Sequence, residues 1–203
     1  MFYTIEVNEK YEKMKAIRDE VVALTGGLAD FRRENKYFCV IGEGSHDANI
    51  MFIGEAPGQN EAKTGRPFCG AAGRILDDLL ASINIPRTDV YITNIVKDRP
   101  PSNRDPLPSE IELYAPFLDR QIEIIQPKCI ATLGRFSMEY IMRKFGLAFE
   151  LEPISKAHGK LYEAEVPCGG TLKIAPQYHP AAAIYNQSLV ETLKKDFQIL
   201  KSI

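Results

Sequence analysis

What this chain lacks narrows its function first. Its 203 residues contain no apolar run near the roughly 18 residues that a membrane span needs. The opening MFYTIEVNEK holds no signal-peptide core. There is no excess of charge: the net value is −2, which gives no global pull toward nucleic acid, although a local basic face offset by acids elsewhere remains compatible with it. There is no CxxC pair. Cys39, Cys69, Cys129 and Cys168 lie far apart, which argues against a zinc or iron–sulfur knuckle. Cys129, inside KCIATLG, reads as a core thiol, and disulfides are not expected in the cytosol. His46, His158 and His179 are scattered too. Neither GxxxxGK[ST] nor GxGxxG occurs, which disfavours a nucleoside-triphosphate or dinucleotide site, and no GxSxG marks a nucleophile elbow. The expectation is a cytoplasmic, monomeric protein without membrane contact, folded as one domain over residues 1–203.

What is present is an alternation. Met14, Ile17, Val21 and Leu24 recur along one stripe, which predicts a helix over about Val7–Leu24. NIMFIG (49–54) is a short apolar run of the kind covered on both faces of a sheet. GAAGRILDDLLASINI (70–85) predicts a helix, and DVYITNIV (89–96) a second strand. Four prolines between Lys97 and Pro108 make that stretch a loop. Ser109 and Glu112 have capping-box spacing, and Ile111, Tyr114, Leu118, Ile122 and Ile125 mark the buried side of the helix that follows. CIATLG (129–134) predicts a third strand, leading into a helix from Arg135 to about Phe145. Residues 172–175 predict a fourth strand, and about 188–200 a closing helix. No repeat or low-complexity linker interrupts the pattern. It predicts an α/β fold, a three-layer α/β/α with a central four-stranded, mainly parallel sheet.

In such sheets ligands bind just beyond the C-terminal ends of the strands. Three unusual loops leave those ends: GEAPGQNEAKTGRPF, NIVKDRPPSNRDP and PQYHPAAAIYN. Their conspicuous polar groups are Glu55, Glu61, Asn94, Asn103 and His179, with Phe68 as a flat apolar surface. That set suits a flat heterocycle: an amide for an imide edge, a ring for stacking, a histidine for a developing anion.

GEAPGQNEAKTGRPFCGAAGRIL, VYITNIVKDRPPSNRDP, IQPKCIATLG and YHPAAA follow one another as in the family 4 uracil-DNA glycosylases. From about Ile41 to the C-terminus the chain resembles that family. The resemblance implies hydrolysis of the N-glycosidic bond of deoxyuridine in DNA, which starts base excision repair. The nucleotide is flipped out of the stack at a cost of about a few kcal/mol. The family pattern places Phe68 on the uracil ring and Asn94 against its imide edge. There the amide carbonyl accepts from N3–H and the NH2 donates to O4, a polarity that cytosine reverses. The same pattern has His179 donate to O2 as uracil leaves as an anion, with backbone N–H groups near Ala56 and Gly58 assisting.

Family 1 relatives carry an aspartate where Ala56 stands. Glu55 and Asn103 are therefore the candidates for holding the attacking water. Glu61 either closes the pocket near uracil C5 or acts on that water. Arg66, Lys97, Arg99 and Arg104 are the cations offered to DNA phosphates, and Ile184 and Tyr185 are placed to wedge into the gap left by the flipped base.

The chain departs from the family pattern in two places. Most members bind a [4Fe–4S] cluster through four cysteines, and such clusters need a set of thiolates. Here Asp98 and Tyr114 occupy two of the ligand positions and LADFRRENKYFC offers Cys39 alone, so no cluster and no metal are expected. Tyr114 and the segment Tyr37–Val40 are expected to fill the space. Ala62 stands where an acid is usual. Two other functions share the pocket: capture of uracil by cross-linking, and excision with altered base choice (hypoxanthine, mismatched thymine). The cross-linking relative carries GEQPG and a histidine in the second loop, whereas this chain has GEAPG and no histidine between Lys97 and Pro108, which favours turnover.

Overall fold

The computed structural model describes residues 3–166 and 169–203, and the side chains of the first helix from Glu9 onward; Cys168 lies outside them. Helices α1 (Tyr3–Ala23) and α2 (Gly27–Glu34) precede strands β1 (Glu43–Gly44) and β2 (Ile50–Gly54). Then come α3 (Gln59–Thr64), α4 (Ala71–Ser82), β3 (Tyr91–Asn94), α5 (Pro108–Ile125) and β4 (Cys129–Leu133). The chain continues through α6 (Arg135–Lys144), α7 (Ile154–Ala157), β5 (Tyr162–Glu165), β6 (Thr171–Gln177), α8 (Ala182–Tyr185) and α9 (Leu189–Phe197).

Among the described residues the sheet has six strands, in the order β1-β3-β2-β4-β6-β5. The expected four are its parallel centre, β3, β2, β4 and β6. The correction is at the edges, where β1 and β5 pair antiparallel to their neighbours. Two-residue β1 is too short to carry any periodicity. Strand β5, YEAE, alternates buried and exposed positions as a strand with one solvated face does.

Successive side chains of the central strands point to opposite faces. Met51 and Ile53 meet Ile17 and Val21 of α1, Tyr114 and Leu118 of α5, and Met138 and Ile141 of α6. Ile50 and Phe52 meet Leu76, Leu79 and Leu80 of α4 with Leu193 and Phe197 of α9. Every residue of β2 and β4 is buried, which is why these strands read as unbroken apolar runs. A fully buried Leu, Ile or Phe contributes about 2 kcal/mol, so the two packed faces hold the strand ends, and the loops that leave them, in fixed positions.

Local departures from expectation have physical causes. Helix α5 starts at Pro108, whose missing N–H costs nothing in a first turn. Leu107 has no side-chain acceptor, and the Glu110 carboxylate takes its N–H at 2.8 Å, so Ser109 and Glu112 do not form the cap. The first long loop contains helix α3, and α2 arises from a segment that carried no expectation.

Candidate active site

The loops after β2, β3 and β6 enclose a cavity of about 650 Å³ at the rim of the sheet. Glu55, Ala56, Gly58, Glu61 and Phe68 reach it from the first loop. Asn94, Asn103 and Arg104 come from the second, and His179, Ile184 and Tyr185 from the third. Arg66 and Arg99 do not line it.

Phe68 is held with a left-handed backbone, φ 46°, which non-glycine residues adopt at a cost. Glu61 helps to impose it. One carboxylate oxygen, Oε1, accepts the N–H groups of Cys69 at 3.0 Å and Gly70 at 2.9 Å, immediately after the aromatic. Two glycines make room. A Cβ on Gly73 would stand 1.8 Å from the Phe68 carbonyl oxygen. One on Gly54, the last residue of β2, would stand 2.4 Å from Asn94 Oδ1 and 2.8 Å from Phe68 Cζ. The Asn94 amide and the Phe68 ring edge thus meet over a bare Cα. Asn94 is 2 % exposed, and its Oδ1 has no hydrogen-bond partner. It is an unpaired acceptor on a residue that lines the cavity.

His179 lies across from them, its ring centroid 5.6 Å from that of Phe68 and tilted by 30°. The Ala181 N–H donates to its Nδ1 at 3.1 Å. Desolvation pushes the imidazole down to about 4, opposed by the nearby Glu61 carboxylate. The ring is therefore neutral at physiological pH.

Glu55 follows β2 directly. Among the described residues no side chain pairs with its carboxylate: Arg66 bonds Glu43 at 2.8 and 2.9 Å, and Arg104 bonds Glu110 at 2.6 and 2.8 Å. Burial pushes Glu55 up to about 7, with Asp105 reinforcing the shift and Arg135 opposing it. Asp105 also lines the cavity and pairs with Arg135 at 2.6 Å. Asn103, with φ 54°, accepts Arg99 Nε on its Oδ1 at 2.7 Å, and the Arg99 guanidinium lies over the Tyr37 ring.

Lys97 corrects an expectation. Instead of facing phosphates it is fully buried, because Thr93 and Gln121 offer it acceptors inside the fold. The space expected to be filled by Tyr114 and Tyr37–Val40 does hold Tyr114 and Val40, both fully buried, together with the charged pair Arg32 and Asp98. Tyr114 Oη donates to Asp98 Oδ2 at 2.7 Å, and Arg32 donates to Asp98 Oδ1 at 3.1 Å. All three are buried, whereas Phe38 is 60 % exposed. Arg32 carried no sequence signal, since its partner lies 66 residues away. Ala181 acts only through its main chain, and Asp105 was one acid in a polar loop.

Residues 41–201 match the profile of the uracil DNA glycosylase superfamily. The chain is 45% identical to the type-4 uracil-DNA glycosylase of Sulfurisphaera tokodaii, over 95% of this chain and 85% of that protein. It is 48% identical to the type-4 uracil-DNA glycosylases of Archaeoglobus fulgidus, over 78% of each chain, and of Saccharolobus solfataricus, over 80% of this chain and 74% of that one. With this likeness along most of its length, the chain belongs to the uracil DNA glycosylase superfamily, among the type-4 enzymes.

Proposed function

We infer that the protein is a uracil-DNA glycosylase that starts base excision repair. Water adds at C1′ of a flipped deoxyuridine, the N-glycosidic bond breaks, and uracil departs as an anion that takes up a proton. The observation that carries this is the meeting of Phe68, Asn94 and His179, from three separate loops, on one cavity.

The roles follow from what each group has free. Phe68 offers a ring face that the strained backbone holds in place. The Asn94 amide has an unused acceptor for N3–H and an NH2 for O4. His179, with Nδ1 occupied, presents Nε2–H to O2, where charge develops, and main-chain groups at Ala56 and Gly58 stand nearby. A donor of this kind is worth about 3 kcal/mol of barrier. Glu55, unpaired beside the cavity, orders the attacking water, and Asn103 assists from the facing loop. Glu61 works chiefly as a brace for the loop that carries Phe68, since one of its oxygens already serves two N–H groups.

DNA reaches the rim past Arg104 and Arg99, with Arg66 as an outlying contact, and Ile184 and Tyr185, 44 and 90 % exposed, fill the gap in the stack. We propose further that the protein works without an iron–sulfur cluster. What supports this is the buried Arg32–Asp98–Tyr114 group: a guanidinium, a carboxylate and a phenol do not supply thiolates, and Cys39, the one thiol beside them among the described residues, is pushed up by burial toward its neutral form. Monomeric action in the cytoplasm completes the proposal; among the described residues no helix is long and apolar enough to cross a membrane.

Incubation with oligonucleotides carrying U, T or hypoxanthine, followed by alkali, tests the function. Multiple-turnover strand breakage at U alone is the expected result. A stoichiometric, denaturation-resistant adduct would mean capture, and breakage at hypoxanthine or T would mean altered base choice.

A further inference from the structure

Lys97 has no part in the roles above, yet its position is hard to explain by stability alone. It is 0 % exposed. Its ammonium donates to the Asn94 carbonyl oxygen at 2.6 Å, to Gln121 Oε1 at 2.6 Å and to Thr93 Oγ1 at 2.8 Å. An ammonium has three N–H donors, so all are used, and no carboxylate is among the acceptors. Burial pushes the group down to about 7. An apolar side chain of equal length would fill the same space without that desolvation cost.

The acceptors are themselves fixed. Gln121 Nε2 donates to the Ile41 carbonyl at 3.0 Å and to Tyr91 Oη at 3.1 Å, and Thr93 Oγ1 donates to the same carbonyl at 2.6 Å. The Asn94 carbonyl is thus tied to a rigid polar frame. Its side chain is not tied: Oδ1 has no partner. In the free protein the aim of the amide comes from its packing over Gly54 and from the main chain beneath it. That stretch also holds the first loop, because Ile95 N–H donates to the Gly54 carbonyl at 3.1 Å and Val96 N–H to the Glu55 carbonyl at 3.0 Å.

We propose that Lys97 is a positioning residue for base recognition: through the Asn94 carbonyl it fixes the strand end from which the Asn94 amide reads the pyrimidine. This rests on the proposed uracil site. Lys97 touches no substrate; it limits the directions in which Asn94 can point, so that the amide is set before the base arrives.

Coupling between the two residues tests it. Single-turnover excision from a uracil oligonucleotide is measured for Lys97→Met and Asn94→Ala separately and together. The expected result is a 10- to 100-fold loss for Lys97→Met, DNA affinity within 2-fold of wild type, and less than a 3-fold further loss when Asn94 is already alanine. An equal loss in both backgrounds, or none, would overturn the proposal. Thr93→Val removes one anchor of the ammonium with little change in volume; a loss of 3- to 10-fold that vanishes in Asn94→Ala is expected, which decides the matter even where Lys97→Met does not fold. The same coupling read by titration with free uracil is independent of turnover. Wild-type protein that binds uracil but leaves the bond intact would contradict the glycosylase function while the Lys97–Asn94 coupling still stands or falls by that titration.

Discussion

The Ala181 N–H donates to Nδ1 of His179 at 3.1 Å, and this one bond determines which ring nitrogen faces the cavity as a donor. With Nδ1 accepting, the single proton of the neutral ring sits on Nε2. His179→Ala should slow excision by about 100-fold, on the order of 3 kcal/mol, with DNA affinity retained; an unchanged single-turnover rate would remove the donor role. Because burial pushes the ring down to about 4, the neutral donor persists through pH 5. Between the ordinary histidine value and about 4 the unfolded chain binds a proton that the folded chain does not. This residue therefore subtracts stability as pH falls through that window.

Glu55 works in the opposite sense. Its carboxyl is pushed up to about 7, so the folded protein holds a proton that the unfolded chain has released. The stability linked to it is present below the usual carboxylate range and is lost as pH rises through about 7. Glu55→Gln should raise thermal stability at pH 8 but not at pH 4, by about 1 kcal/mol once screening by water in the open cavity is allowed for. If the ionised form orders the water, kcat/KM in the wild type falls below about pH 7, and Glu55→Gln lowers the rate and flattens that limb. A pH–rate profile checks both.

Gly54 should tolerate no side chain. A Cβ there would lie 2.4 Å from Asn94 Oδ1 and 2.8 Å from Phe68 Cζ, the far ends of two side chains that can shift without unfolding the sheet. Gly54→Ala should therefore keep the fold, as judged by circular dichroism, and lose roughly 100-fold or more in excision. Near-normal activity would show that the two side chains need not meet over this Cα.

Asp98 should matter for stability and not for chemistry. Asp98→Ala leaves the Arg32 guanidinium buried without its counter-charge and frees the Tyr114 hydroxyl, a loss of about 3–5 kcal/mol. Thermal unfolding checks the loss, and excision per folded molecule should stay within about 2-fold. Iron analysis after reconstitution with iron and sulfide should find less than stoichiometric binding; a cluster with broad visible absorbance would contradict the proposal.

Much of this was legible in the chain because central strands buried on both faces leave unbroken apolar runs, and because loops rich in Gly and Pro stand out between them. The three loops could be gathered at one rim from the strand–helix alternation, and the family resemblance gave Phe68, Asn94 and His179 their roles within them. Edge strands escaped: Glu43–Gly44 is too short for a pattern, and YEAE reads as a polar stretch. The reversal of Lys97, from phosphate contact to buried frame, was also illegible. Two of its acceptors, Thr93 and the Asn94 carbonyl, are near in sequence, but the third, Gln121, lies 24 residues away, and a threonine and a carbonyl nearby do not mark a lysine as buried. The same distance problem hid Arg32.

A crystal structure of the protein with uracil bound tests the central claim most directly. The base should lie against Phe68 at about 3.5–4 Å, with the Asn94 amide within hydrogen-bond reach of N3 and O4 and His179 Nε2 within reach of O2. Uracil seated elsewhere, or in this cavity with its imide edge turned away from Asn94, would contradict it.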